Sequence, residues 1–227
     1  MLKNLILGTA MLFSVSAFAQ DHTPAAVSDP KAQSPVAQQL SMANQLVVYG
    51  YQTKNALPLI QAVQIYKDLN VREAQDVAPK ETSGTPITSP SLTKTDVISY
   101  DVKQILADAT NFANGNKNLL ALIKDTEKKT QGLVDGPKTI TDRVEPNTTD
   151  TWKFRFRGGE DAIVIVSGDG DTDLDLYIYD ENMNLIDSDT DSTDQCVCTF
   201  KPKWTGYFYV RIKNLGNVYN RYTMIIN

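Results

Sequence analysis

"TWKFRFRGG", residues 151–159, sets Trp152, Phe154 and Phe156 in strict alternation with Lys153, Arg155 and Arg157 and halts at Gly158-Gly159. A period of two is that of a strand with one face buried and one in water. A helix would need its apolar groups three or four residues apart. The chain from here to its end keeps to short apolar runs: "AIVIV" (162–166), "DLDLYIYD" (173–180), "CVCTF" (196–200), "YFYVRI" (207–212) and "RYTMII" (221–226). Gly, Asn and Asp turns separate them, a pattern that predicts an antiparallel β-sandwich.

Upstream the period is helical. Ser34-Pro35 reads as an N-cap followed by a first-turn proline. Val36, Leu40, Ala43, Val47 and Tyr51 then recur on one face. "NALPLIQAVQIYKDL" restarts the pattern, with Leu59, Ala62, Val63 and Tyr66 aligned and Pro58 in the first turn. Residues 70–92, rich in Pro, Thr and Ser, are expected to form a mobile loop. Helical signals resume at Thr93, placed three residues before Asp96 as in a capping box, and Ile98, Val102, Ile105, Ala109 and Phe112 form a regular stripe. A fourth helix is expected from about Asn116 to Lys129. No single stripe can be buried alone, so the four helices predict a small bundle. The fold class is therefore α+β in separate domains: a helical domain over 35–130, a linker at 131–137 and a jelly-roll-like antiparallel sandwich over 138–227.

The first residues set the compartment. Lys3, the apolar stretch "LILGTAMLFSVSAF" and Ala17-Phe18-Ala19 have the layout of a secretory signal peptide over 1–19. No later segment approaches about 18 uninterrupted apolar residues, so no integral membrane segment is expected after signal removal. Residues 20–34 read as a flexible leader. The expected location is secreted or periplasmic.

The 227-residue chain carries a formal charge of −5. Loss of Lys3 with the signal leaves 21 basic residues against 27 acidic ones, a charge of −6. That balance argues against a nucleic-acid partner, whose affinity rests on Lys and Arg neutralising phosphates. The single histidine is His22, inside the leader. A Ser-His-Asp triad, a Cys-His pair and an HExxH zinc helix are thereby excluded, and neither GxSxG nor GxxxxGK[ST] occurs. No catalytic residue is assigned, and the chain is read as a non-enzyme.

Residues 168–195 hold nine aspartates and Glu181 around one apolar run. Asp173 and Asp175, about 7 Å apart by strand rise, satisfy the spacing of a glycosidase pair. They lack the apolar pocket that would make one of them an acid. Calcium is the better functional candidate, because clustered hard oxygens become favourable once a divalent cation neutralises them. Asp169, Asp171 and Asp173 open like an EF-hand loop with Asp180 at the twelfth position, but Leu174 stands where that loop requires Gly. Asp187, Asp189 and Asp191 repeat the opening with Ser192 at the same place. The candidate ligand set is Asp169, Asp171, Asp173, Asp175, Asp180, Asp187, Asp189 and Asp191; the alternative is a solvated rim of turn-forming aspartates.

Trp152-Lys153-Phe154, "GDGDTDLDLYIYDENMNLIDSD", the run from Thr205 to Ile212 and the closing Tyr222 strand, in that order, resemble the bacterial pre-peptidase C-terminal domain. The resemblance covers about residues 138–227 and leaves the helical half unrecognised. It implies a jelly-roll-like sandwich and an adhesive or substrate-targeting role, since related domains of secreted collagenases bind collagen. Some members bind calcium.

Strand alternation that turns Phe208, Val210 and Ile212 inward turns Tyr207, Tyr209 and Arg211 outward, and Tyr177 and Tyr179 likewise. These five residues are the candidate ligand-binding face. Cys196 and Cys198 are the only cysteines. In an oxidising compartment they form either a strained i,i+2 disulfide or two thiols. The function expected is an exported non-catalytic binding protein whose partner is an extracellular polymer or a secreted protein. The alternative is an accessory or secretion and processing module of a separately encoded hydrolase.

Overall fold

The computed structural model describes residues 24–28, 35–75, 77–87, 98–128 and 136–227. The signal peptide, most of the leader, Thr93 with its capping box and most of the 131–137 linker lie outside these residues. The elements in chain order are β1 (Ala26–Ser28), α1 (Pro35–Gln52), α2 (Ala56–Asp68), β2 (Arg72–Glu73), β3 (Glu81–Gly84), α3 (Val102–Phe112) and α4 (Lys117–Lys128). The all-β half follows with β4 (Lys138–Val144), β5 (Thr148–Phe156), β6 (Ala162–Ser167), β7 (Leu174–Asp180), β8 (Leu185–Asp189), β9 (Gln195–Pro202), β10 (Gly206–Asn214) and β11 (Asn220–Ile226).

The strands form two sheets. Sheet A runs β1-β9-β6-β11-β4-β2 and sheet B runs β3-β5-β10-β7-β8. All pairings are antiparallel except β2 with β4. Their inner faces meet in a core that includes Val164, Val166, Leu176, Ile178, Phe208, Val210, Tyr222 and Met224. Phe156, Phe200 and Phe208 close one end of it, with ring centroids 5.0–5.7 Å apart.

β6 explains how the halves join. Its six residues are all buried, because Val164 and Val166 face sheet B while Ile163 and Ile165 face the helices. A strand covered on both sides has no reason to alternate, and "AIVIV" does not. Ile225 of β11 joins Ile163 and Ile165 against the helical residues. Burying each such side chain contributes about 1.5–3 kcal/mol. The helices therefore form a layer on sheet A and share its outer face, where the sequence alone points to two separate domains.

Three further differences have local causes. Within the expected flexible leader, Ala26–Ser28 pair with Phe200–Pro202, and Ala25 and Ala26 are buried. Within the expected mobile loop, β2 adds to β4 and β3 adds to β5. These are short polar or small-residue strands that gain structure from the sheet edges they extend. The third helix begins after Asp101, whose carboxylate accepts from the Gln104 N–H at 2.8 Å as the N-cap, so the described start lies eight residues beyond Thr93.

Candidate functional site

The acidic stretch is divided by the fold. Asp180, fully buried at the end of β7, accepts from the Asn182 and Asn184 amides, from Asn184 Nδ2 and from the Ala25 amide, all at 2.8–2.9 Å. Burial alone would raise its carboxyl; the hydrogen bonds from Asn184, Ala25 and Asn182 outweigh it and hold the group below the ordinary range. It fastens the turn into β8 to the first residues of the sandwich.

Asp187 and Asp189 act at the sandwich edge. Asp187 accepts from the Thr199 N–H at 2.9 Å and Asp189 from the Val197 N–H at 2.8 Å. β1 pairs with β9 only from Phe200 onward. The two carboxylates of β8 thus take over the β9 amides beyond the reach of β1, and tie sheet B to sheet A.

The remaining carboxylates gather at the opposite end from Asp180. Asp169 accepts from the Arg221 N–H at 2.9 Å. Asp194, which lies outside the set proposed from sequence, accepts from the Gly170 N–H and from Gln195 Nε2. Gly170 takes a φ of +89°, a conformation that suits glycine. Asp191 closes a turn by accepting from the Thr193 N–H and hydroxyl. Asp173 has its carboxyl raised by burial and then by the neighbouring charges of Asp175, Asp191 and Asp194. Among the described residues no three His, Cys, Asp or Glu side chains come together as a metal-binding group. The eight aspartates proposed as one ligand set therefore occupy three places, and Asp180, Asp187 and Asp189 serve as hydrogen-bond acceptors for the framework.

Cys196 and Cys198 are free and buried, with side chains in the sandwich interior. β9 is regular through them, pairing Cys196 with Val166 and Cys198 with Val164. The local bend that a bridge would need is not present. Cys196 Sγ lies 3.1 Å from the Leu174 carbonyl. Burial, followed by the nearby aspartates, pushes both thiols far above their ordinary range.

The outer face of sheet B brings the five aromatic and basic candidates together. The register sets Tyr179 opposite Tyr209 and Tyr177 opposite Arg211. On the other side of β10, Tyr209 is opposite Lys153 and Tyr207 opposite Arg155. The Tyr177 and Tyr179 rings stack with centroids 6.4 Å apart. The Arg211 guanidinium lies 4.9 Å from the Tyr179 ring centre. Lys153 Nζ stands 4.6 Å from the Tyr207 ring and 5.6 Å from the Tyr209 ring. These distances fall within the range of cation–π attraction.

The charge on this face is predominantly basic. Lys153, Arg155, Arg211 and Lys213 point outward, against a nearly buried Asp175 on β7. The Tyr177 hydroxyl donates to Asp175 at 2.9 Å, and burial together with this carboxylate pushes its pKa up to about 12. Tyr177 is thus a fixed donor whose ring is held at the face. Tyr207 remains 49% exposed. Lys153 is the member that sequence reasoning left out. Its outward direction follows from the alternation around Trp152, but its place between two tyrosines depends on the β5–β10 register.

A crevice of about 830 Å³ between α2, α3 and the β4 edge mixes Lys103 and Lys138 with Glu73 and Asp101. Lys67 on its wall already donates to the Thr126 and Glu127 carbonyls. Its charges do not converge on one ligand chemistry.

No family model matches the chain, and no curated protein matches it in sequence. Among solved structures, it is similar to the pre-peptidase C-terminal domain of collagenase from Bacillus anthracis, at 16% identity and a TM-score of 0.35, over 40% of this chain and 88% of that chain. It is similar to the Yersinia pseudotuberculosis-derived mitogen at 12% identity and a TM-score of 0.36, over 41% of this chain and 86% of that one. PliG of Salmonella Typhimurium, a periplasmic lysozyme inhibitor of g-type lysozyme, matches at 16% identity and a TM-score of 0.29, over 42% and 90%. Likenesses at this level bear on neither activity nor ligand. Among the described residues no helix is long and apolar enough to cross a membrane.

Proposed function

We propose that the chain is an exported, non-catalytic binding protein, secreted or periplasmic, that presents the outer face of sheet B to an extracellular polymer. The observation that carries this reading is the set of three tyrosines paired with Lys153 and Arg211 across three adjacent strands. Tyrosine offers a broad apolar ring with a polar tip at small entropic cost, which suits contact with a repeating ligand. The resemblance of residues 138–227 to a substrate-targeting domain agrees with it. A non-catalytic role fits the aspartates, several of which are committed to main-chain donors.

The proposal extends to calcium at the end of the sandwich where the charges of Asp175, Asp191 and Asp194 bear on Asp173; these carboxylates do not stand together as a metal-binding group among the described residues, so an ion would have to draw them in. A divalent cation that neutralised them would tie together the loops before β7 and after β8.

The test is co-sedimentation of the purified mature protein with insoluble polymers, beside a Tyr179→Ala/Tyr209→Ala variant. Retention of the parent and loss in the folded variant is the expected result. Equal behaviour of the two removes the face from the proposal. Recovery of the protein cleaved within 131–137, or bound to a hydrolase, would favour the accessory-module reading instead.

A further inference from the structure

We infer that the ligand of this face is an anionic polysaccharide, one carrying carboxylates or sulfates along a chain of sugar rings; the inference rests on the binding role proposed above. The first observation is charge. On a chain whose formal charge is −5, the outer face of β5 and β10 gathers Lys153, Arg155, Arg211 and Lys213. None of the four makes an ion pair among the described residues. The half-buried Arg211 carries its guanidinium over the Tyr179 ring, with no carboxylate paired to it among those residues. Cations left unpaired in this way are available to neutralise an acidic ligand.

The second observation is the arrangement. Tyr179, Tyr209 and Lys153 form one row across β7, β10 and β5, and Tyr177 and Arg211 begin the next. Rows repeat about every 7 Å along the strands, and neighbours in a row lie about 4.8 Å apart. Tyrosine rings therefore adjoin cations both within a row and from one row to the next, on a patch wider than a single sugar ring. A pyranose has an apolar face of C–H groups that can lie on a tyrosine ring, while an acidic substituent at its rim reaches the adjacent cation.

The third observation separates a glycan from a peptide. β5, β10 and β7 are each flanked by a strand on both sides, in the order β3-β5-β10-β7-β8. Their main-chain donors and acceptors are used within the sheet, so an extended peptide cannot add to this face as another strand. Recognition must come from side chains alone, through stacking and charge.

The experiment is affinity electrophoresis and calorimetry on the mature protein. The probes are polygalacturonate, alginate, chondroitin sulfate, neutral dextran, poly-L-glutamate and a single-stranded oligonucleotide. Binding to at least one acidic polysaccharide is expected, weakening as salt rises. Lys153→Gln, at an exposed site where folding is not at stake, should weaken it roughly tenfold, in line with loss of one charge-assisted contact. Tyr209→Ala should weaken it while leaving the salt dependence in place. Equal affinity for dextran would overturn the acidic requirement and leave the binding face standing. Equal affinity for poly-L-glutamate or the oligonucleotide would overturn the polysaccharide assignment. Binding to none of the acidic polysaccharides overturns the inference; if the protein also fails on every insoluble polymer, the proposed function falls with it.

Discussion

Lys80 Nζ lies 2.7 Å from a carboxylate oxygen of Asp150, and Asp150 is only 1% exposed. The same carboxylate accepts from the Thr82 hydroxyl at 2.7 Å. Lys80 also reaches Asp142 at 2.9 Å. One buried acid of β5 thus anchors the polar segment that leads into β3, which explains why a stretch with little apolar content is ordered against the sandwich. Breaking a buried pair leaves an uncompensated charge and costs about 3–5 kcal/mol. Because Lys80 keeps some exposure, Lys80→Met should cost about 2–3 kcal/mol in urea unfolding, and the amides of Glu81–Gly84 should exchange faster than in the parent. Unchanged stability and exchange would mean that β3 is held by its ladder alone.

Tyr222 links this anchor to the core. The Trp152 indole N–H donates to the Tyr222 hydroxyl at 2.8 Å, and that hydroxyl donates to Asp150 at 3.2 Å. Tyr222→Phe keeps the ring but leaves the buried indole donor unmatched, a loss of about 1–3 kcal/mol. Burial and then the Asp150 charge raise the Tyr222 pKa far above its ordinary value. The associated stability is fully present below the unfolded-state value near 10 and is lost as pH rises beyond it. The difference between parent and Phe variant should accordingly shrink in melts taken above about pH 10. A difference that is constant through that range would assign the effect to packing.

Sidedness was readable in the sequence wherever one face of a strand is wet. The alternation in β7 and β10 places Tyr177, Tyr179, Tyr207, Tyr209 and Arg211 outward, and the structure sets them on one face. β6 gave no such signal because both its faces are covered. The roles of the aspartates were hidden for a different reason. The partner of Asp180 in the leader is 155 residues away, and that of Asp187 lies across the sheet edge on β9. A local spacing such as D-x-D-x-D describes neighbours along the chain, whereas the contacts by which these carboxylates join distant strands depend on donors brought in by topology. Lys153 was hidden in the same way by register.

The thiols offer a direct check on the core. Cys196 and Cys198 are buried at 1% and 0% exposure, and their raised pKa values keep them protonated at neutral pH. Protonated, inaccessible thiols react slowly. Native protein should show no rapid reaction with a thiol reagent, and two thiols should titrate once denaturant unfolds it without reductant. Zero thiols under denaturing conditions would establish a 196–198 bridge and require β9 to bend there.

Asp173 supplies the pH test. Burial and the charges of Asp175, Asp191 and Asp194 raise its carboxyl above the ordinary value, so the folded state holds this proton more tightly than the unfolded chain. The contribution to stability is fully present below the unfolded value near 3.9 and is lost as pH rises through the folded one. Asp173→Asn, which removes the charge at all pH, should therefore raise the melting temperature at pH 7 by on the order of a degree or two and leave it unchanged near pH 3. Calcium sharpens the comparison. An ion ligated by this cluster would stabilise the parent in proportion to its saturation and would lose a ligand in the variant, so millimolar calcium would reverse the order of the two melting temperatures. If the variant stays the more stable with and without calcium, repulsion is the whole effect and the aspartates at this end form a solvated rim.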